Sequence, residues 1–113
     1  MISVKRIYEQ PEKSDGLRVL VDRLWPRGMS KQRAAVDLWL KELAPSDALR
    51  QWFGHKPERW LEFKSRYHRE IEKFREPLGR FTEAGRKQAI TLLFAAKDEK
   101  HNNAVALLEY LRE

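Results

Sequence analysis

Apolar and polar residues alternate through Ile2-Ser3-Val4-Lys5-Arg6-Ile7-Tyr8, the period of a half-buried strand. A turn-forming cluster, Pro11 to Gly16, separates it from Leu17-Arg18-Val19-Leu20-Val21-Asp22, a denser β-branched run that suits a strand covered on both faces. Pro26 and Gly28 end that run. Met29 to Ala35 reads as a short helix capped by Ser30, and Val36 to Leu40 as a third strand with a helix as its close competitor. Ser46 is placed to cap a helix that runs to Phe53 and closes at Gly54.

The strongest periodicity follows. Trp60, Phe63, Tyr67, Ile71 and Phe74 recur every three or four residues, one stripe along a helix that opens at Pro57. Glu62 and Arg66 are placed to pair on its exposed side. Pro77 is expected to end or kink this helix near Glu76, with a second short helix from about Leu78 to Ala84 capped by Gly85. Ala89 to Ala96 is the most hydrophobic run and reads as the central strand, and Asn103 to Leu111 as a closing helix. This order predicts an α/β fold: a single three-layer sandwich, residues 1–113, with a small, mostly parallel sheet flanked by helices.

Composition narrows the function classes. The chain has 113 residues, 42% hydrophobic and 35% charged, ordinary for one globular domain. It has no cysteine, which removes disulfides, thiolate metal ligands and a cysteine nucleophile, and fits a reducing compartment. No signal-like or membrane-length apolar run is present, so a cytoplasmic protein without membrane contact is expected. The net charge of +6 favours an acidic partner, but residues 57–88 carry nine Lys/Arg against six Asp/Glu and the remainder fourteen against eleven, so no basic block stands out.

The polar residues that follow two apolar strands are the candidate chemistry. In open α/β sheets ligands bind beyond the carboxyl ends of the strands. If the strands ending at Val21 and Ala96 are parallel neighbours, the loops after them share a crevice. That crevice would hold Arg23, Arg27 and Lys97 as cations, Trp25 as an aromatic face and Asn102 as a polar group, all candidate ligand-binding residues. Asp22, Asp98 and His101 are the candidates for acid–base work. The final helix would add its free N–H groups. Each residue also has a plainer role: Asp22 and Arg23 as a loop-fixing pair, Trp25 as a packing anchor, Asp98 as the cap of the last helix. His55 and His68 are expected on the surface. No metal motif, P-loop, dinucleotide fingerprint or nucleophile elbow is present, so neither metal nor cofactor is expected.

The same segments carry a resemblance. Val21-Asp22-Arg23-Leu24-Trp25-Pro26-Arg27-Gly28, Leu43-Ala44-Pro45-Ser46 and Thr91 to Asp98 with His101-Asn102 and Ala104-Val105 resemble the YeaO-like branch of the domain-of-unknown-function family 488, across nearly the whole chain. The resemblance implies a compact α/β protein of the bacterial cytoplasm and carries no established activity. More distant branches place a cysteine-containing motif where this chain has Asp98 to Asn102, so their thiol chemistry does not extend to it. Three functions stay open: a pocket for a small, phosphate-bearing, nucleotide-like ligand, with or without hydrolase or transferase activity; a non-catalytic protein-interaction or accessory domain; and a nucleic-acid-binding module using Arg59, Lys64, Arg66, Arg69 and Lys73 of the long helix. Oligomeric state is left open.

Overall fold

A computed structural model describes all residues, Met1–Glu113. Four strands, β1 (Ile2–Arg6), β2 (Leu17–Leu20), β3 (Leu38–Trp39) and β4 (Ile90–Phe94), form one sheet in the order β1-β4-β2-β3. All three pairings are parallel, with Ile2 opposite Ile90, Leu17 opposite Ile90 and Val19 opposite Leu38. The α-helices are α1 (Lys31–Ala34), α2 (Asp47–Phe53), α3 (Trp60–Ile71), α4 (Arg75–Lys87) and α5 (Asn103–Leu111). This is the predicted α/β sandwich.

Period-two alternation sorts the side chains of each strand between the two faces. Val19, Ile90, Leu92 and Phe94 enter the larger core, together with Phe53 of α2, Phe63, Tyr67 and Ile71 of α3, Leu78 of α4 and Ala104, Leu107 and Leu111 of α5. On the opposite face Leu20, Leu93 and Ile7 form a small second core with Met29 and Ala34, against which the partly buried Trp25, Val36, Trp39 and Ala95 pack. That thin face also carries a buried ion cluster. Asp15 accepts from Arg18 Nη1 at 2.6 Å and from Lys5 Nζ at 3.0 Å, Arg18 Nη2 donates to the Ala34 carbonyl, and Thr91 donates its hydroxyl to the Asp15 carbonyl.

Every residue from Ile90 to Phe94 is buried, as the hydrophobic run required of a strand with neighbours on both sides. Between β1 and β2 the chain must cross β4, and it does so in ten residues with a 3₁₀ turn at Lys13–Asp15 rather than a helix. Gly16 makes that short crossing possible. Its φ is +64°, and a Cβ there would lie 2.1 Å from the Ala89 carbonyl oxygen.

The helical stripe holds, but the break is displaced. A 3₁₀ turn at Glu72–Phe74 separates α3 from α4, and Pro77 sits inside the first turn of α4, where its missing N–H leaves no bond unmade. Gly85 is an interior residue of α4, not its cap; Gln88 in extended conformation ends the helix. A Cβ on Gly85 would meet Ile2 Cγ1 at 2.5 Å, so the glycine lets α4 lie against β1. The Ser30 and Ser46 caps and the left-handed Gly54 stand as the sequence predicted.

Candidate functional site

The crevice forms where the strand order reverses. After β2 the chain passes to the thin face through α1; after β4 it passes to the thick face through α5. The loops between therefore part at the carboxyl end of the sheet, the usual place for a ligand in this architecture. A cavity of about 790 Å³ opens there, the size of a small-molecule site. Asp22, Arg23, Trp25, Arg27, Lys97, Asp98, His101 and Asn102, the eight residues selected from sequence, all line it.

Within it, several of them are committed to the protein. Asp22 closes the floor: its Oδ2 accepts from the Ala95 backbone N–H at 2.9 Å and its Oδ1 from Asn103 Nδ2 at 3.0 Å. Asn103 also donates to the Val21 carbonyl, so Asp22 and Asn103 stitch the two loops together. Burial pushes the Asp22 carboxyl above its ordinary range, against the lowering effect of these two donors. Trp25 donates Nε1 to the Met29 carbonyl at 2.6 Å and sets its ring edge-on to Trp39, 5.4 Å between centroids. Trp39 in turn donates to the Asp22 carbonyl. Asn102 is buried and caps α5: its Oδ1 accepts from the Val105 N–H and its Nδ2 donates to the Asp98 carbonyl. The cap of α5 is thus Asn102, not Asp98.

Asp98 instead folds the turn before α5. Its Oδ1 accepts from the N–H groups of Lys100 and His101, and its Oδ2 lies 2.9 Å from His101 Nδ1. The His101 side chain, with the Lys100 N–H, holds the Asp98 carboxyl below its usual range. A carboxylate at Nδ1 selects the tautomer protonated there and leaves Nε2 as an acceptor. The ring packs edge-on to Trp60 at 5.3 Å. Asp22 and Arg23 do not pair. Arg23 reaches α2, donating Nη2 to the Pro45 carbonyl at 3.1 Å, with Nε 3.6 Å from Asp47, which also lies 3.6 Å from Arg50.

Arg27 and Lys97 are different: both are exposed, neither is ion-paired, and neither side chain makes a hydrogen bond within the protein. The cavity is also lined by Arg6, Tyr8, Arg50 and His55, none of them picked out by sequence. Arg6 ends β1 and Tyr8 lies in the turn after it, and the place of β1 beside β4 brings both to the crevice. His55 is exposed on the cavity wall, whereas His68, expected on the surface, is half-buried with Nε2 2.8 Å from the Ala106 carbonyl, tying α3 to α5. No Ser or Thr lines the cavity, and nowhere in the fold do three His, Cys, Asp or Glu side chains converge as metal ligands would. No helix is long and apolar enough to cross a membrane.

The family model DUF488-N3i, described as the inactive DUF488-N3 subclade, matches residues 1–113. The uncharacterized protein YeaO of Escherichia coli K12 is 40% identical over 111 residues, covering 98% of this chain and 96% of YeaO. The uncharacterized proteins Mb3100c of Mycobacterium bovis and Rv3073c of Mycobacterium tuberculosis H37Rv are each 50% identical over 70 residues, 62% of this chain and 59% of theirs. No solved structure matches the chain.

Proposed function

The chain belongs to the DUF488-N3i family, the inactive DUF488-N3 subclade, and from that premise we propose that it is a binding protein for a small, phosphate-bearing anion held in the crevice after β2 and β4. One observation carries the reading. Arg6, Arg23, Arg27, Arg50 and Lys97 line a single cavity, while both carboxylates on its wall are already engaged, Asp22 by Ala95 and Asn103 and Asp98 by His101 and its own turn. The cavity is left with surplus positive charge and free donors, which a phosphate satisfies with charge-assisted hydrogen bonds.

The competing readings find less support. Phe53 is buried, Trp39 is half-buried and hydrogen-bonded, and Trp52 lies beneath the guanidinium of Arg66 at 4.4 Å, so these aromatics do not form an open docking face. On α3 and its flank, Lys64 pairs with Glu109 and Arg66 with Glu62, while Arg59 donates to the Trp52 carbonyl, which leaves few free cations to track a nucleic-acid backbone.

A thermal-shift screen of nucleotides, sugar phosphates and carboxylates tests the binding reading. Ligand at a hundred times Kd adds about 2.7 kcal/mol, on the order of 10 °C for a domain this size. Arg23→Ala and Arg27→Ala should abolish most of that rise. No stabilisation by any anion at millimolar concentration, in the parent or the variants, would end the proposal. The His101–Asp98 pair favours one second reading, hydrolysis of the bound ligand with Nε2 as general base toward water. Product formation followed by phosphorus NMR, lost in His101→Gln with binding retained, would establish it; absence of product from ligands that bind leaves a binding protein.

A further inference from the structure

The five pocket cations are not equivalent. Arg23 and Arg50 share Asp47 and are partly neutralised. Arg6, Arg27 and Lys97 line the cavity with no carboxylate within ion-pair distance, and hydrogen bonds tie the three segments that carry them to one another. Arg6 donates Nε to the carbonyl of Ala96, the residue before Lys97, at 3.0 Å. Its guanidinium stacks 4.7 Å from the Tyr8 ring centroid, and the Tyr8 hydroxyl donates to the Arg27 carbonyl at 2.8 Å. Arg6 thus has one nitrogen fixed by the backbone and two left over, while Tyr8 ties the Arg27 loop to the end of β1. The same wall also carries apolar side chains, among them Leu24, Ala44, Pro45, Phe53 and Phe63.

We propose that Arg6, Arg27 and Lys97 form the seat of a terminal phosphomonoester, a doubly charged group whose apolar or planar body lies toward Phe53 and Phe63. This rests on the anion-pocket reading above and adds the charge and the shape of the ligand. Three uncompensated cations match the −1.5 to −2 charge of a monoester near neutral pH far better than the single charge of a diester. The guanidinium of Arg6, held in place by Ala96 and Tyr8, presents its two free nitrogens in a fixed fork suited to two phosphate oxygens.

Calorimetric titration of the full chain with phenyl phosphate, methyl phenyl phosphate and inorganic phosphate at neutral pH tests it. Phenyl phosphate should bind tightest, with the diester at least about tenfold weaker and inorganic phosphate weaker than phenyl phosphate. Arg27→Gln and Lys97→Gln should each weaken phenyl phosphate by about tenfold, the loss expected for one charge-assisted contact. Neither side chain holds the fold together, so both variants should stay folded, and Arg6→Gln, which also gives up the Ala96 bond, is read beside them. Arg80→Gln, on α4 outside the cavity, should change nothing. Equal binding of the two esters, or phenyl phosphate binding untouched by both Arg27→Gln and Lys97→Gln, overturns the seat while the anion pocket stands. Inorganic phosphate binding as tightly as phenyl phosphate overturns the body. Failure of every anion, in this titration and in the wider screen, overturns seat and pocket together.

Discussion

Asp15 and Asp22 are both drawn out of water and both hydrogen-bonded, yet their carboxyls move in opposite directions. For Asp15 burial acts upward but is outweighed by the Glu12 N–H, Lys5 and Arg18, which hold the group below 3.8. Its stabilising contribution is therefore complete above that value and is lost as pH falls through the lower, folded-state value. Urea unfolding followed by circular dichroism should show a steep loss of stability below about pH 4, and Asp15→Asn should flatten that loss while lowering stability at neutral pH. For Asp22 burial dominates and the shift is upward, so protonation favours the folded state and works against the acid limb set by Asp15. Asp22→Asn nevertheless should destabilise, by about 1–3 kcal/mol, because an amide offers one acceptor where Ala95 and Asn103 need two. Local chemistry of this kind was legible in part. The Ser30 and Ser46 caps could be read from neighbours in sequence, but the partners of Asp22 lie more than seventy residues away, so adjacency suggested Arg23 instead.

α3 and α4 show what periodicity does and does not decide. The stripe from Trp60 to Ile71 is visible because burial on one face imposes the 3.6-residue period, and Phe63, Tyr67 and Ile71 are indeed buried. The end of a helix leaves a weaker mark. Pro77 predicts an end or a kink near Glu76, although a proline in the first turn of the next helix costs nothing. Gly85 looks like a cap in sequence because its packing partner, Ile2, is far from it along the chain. Gly85→Ala gains helix propensity and loses packing, and the clash with Ile2 decides the sign: a net loss of about 1–3 kcal/mol in urea unfolding, relieved in the double variant with Ile2→Ala. At α2, Ser46 accepts from the Leu49 N–H and donates to Glu70 of α3, so Ser46→Ala should cost about 1–2 kcal/mol, near the upper end for a lost cap.

In the assembled molecule, the crevice was foreseeable only as a condition: that β2 and β4 be parallel neighbours. They are, and the eight residues chosen on that basis line one cavity. Arg6, Tyr8, Arg50 and His55 are not legible as cavity residues, because nothing in the local pattern says that β1 flanks β4 or that α2 lines the same cavity. β4 is bonded on both edges and buried on both faces, so its amides should exchange slowest, with those of the edge strands β1 and β3 opening earlier. Hydrogen exchange read by NMR checks this; faster exchange in β4 than in β1 would contradict the topology.

The central strand is also the last strand to be made. During synthesis β1 and β2 leave the ribosome with an empty slot between them, and the residues that fill it follow about seventy residues later. At 5–20 residues per second that delay is roughly 4–14 s. Leu20 and Val19 spend it without their lattice of partners, so the nascent chain depends on late closure rather than on sequential growth of a sheet.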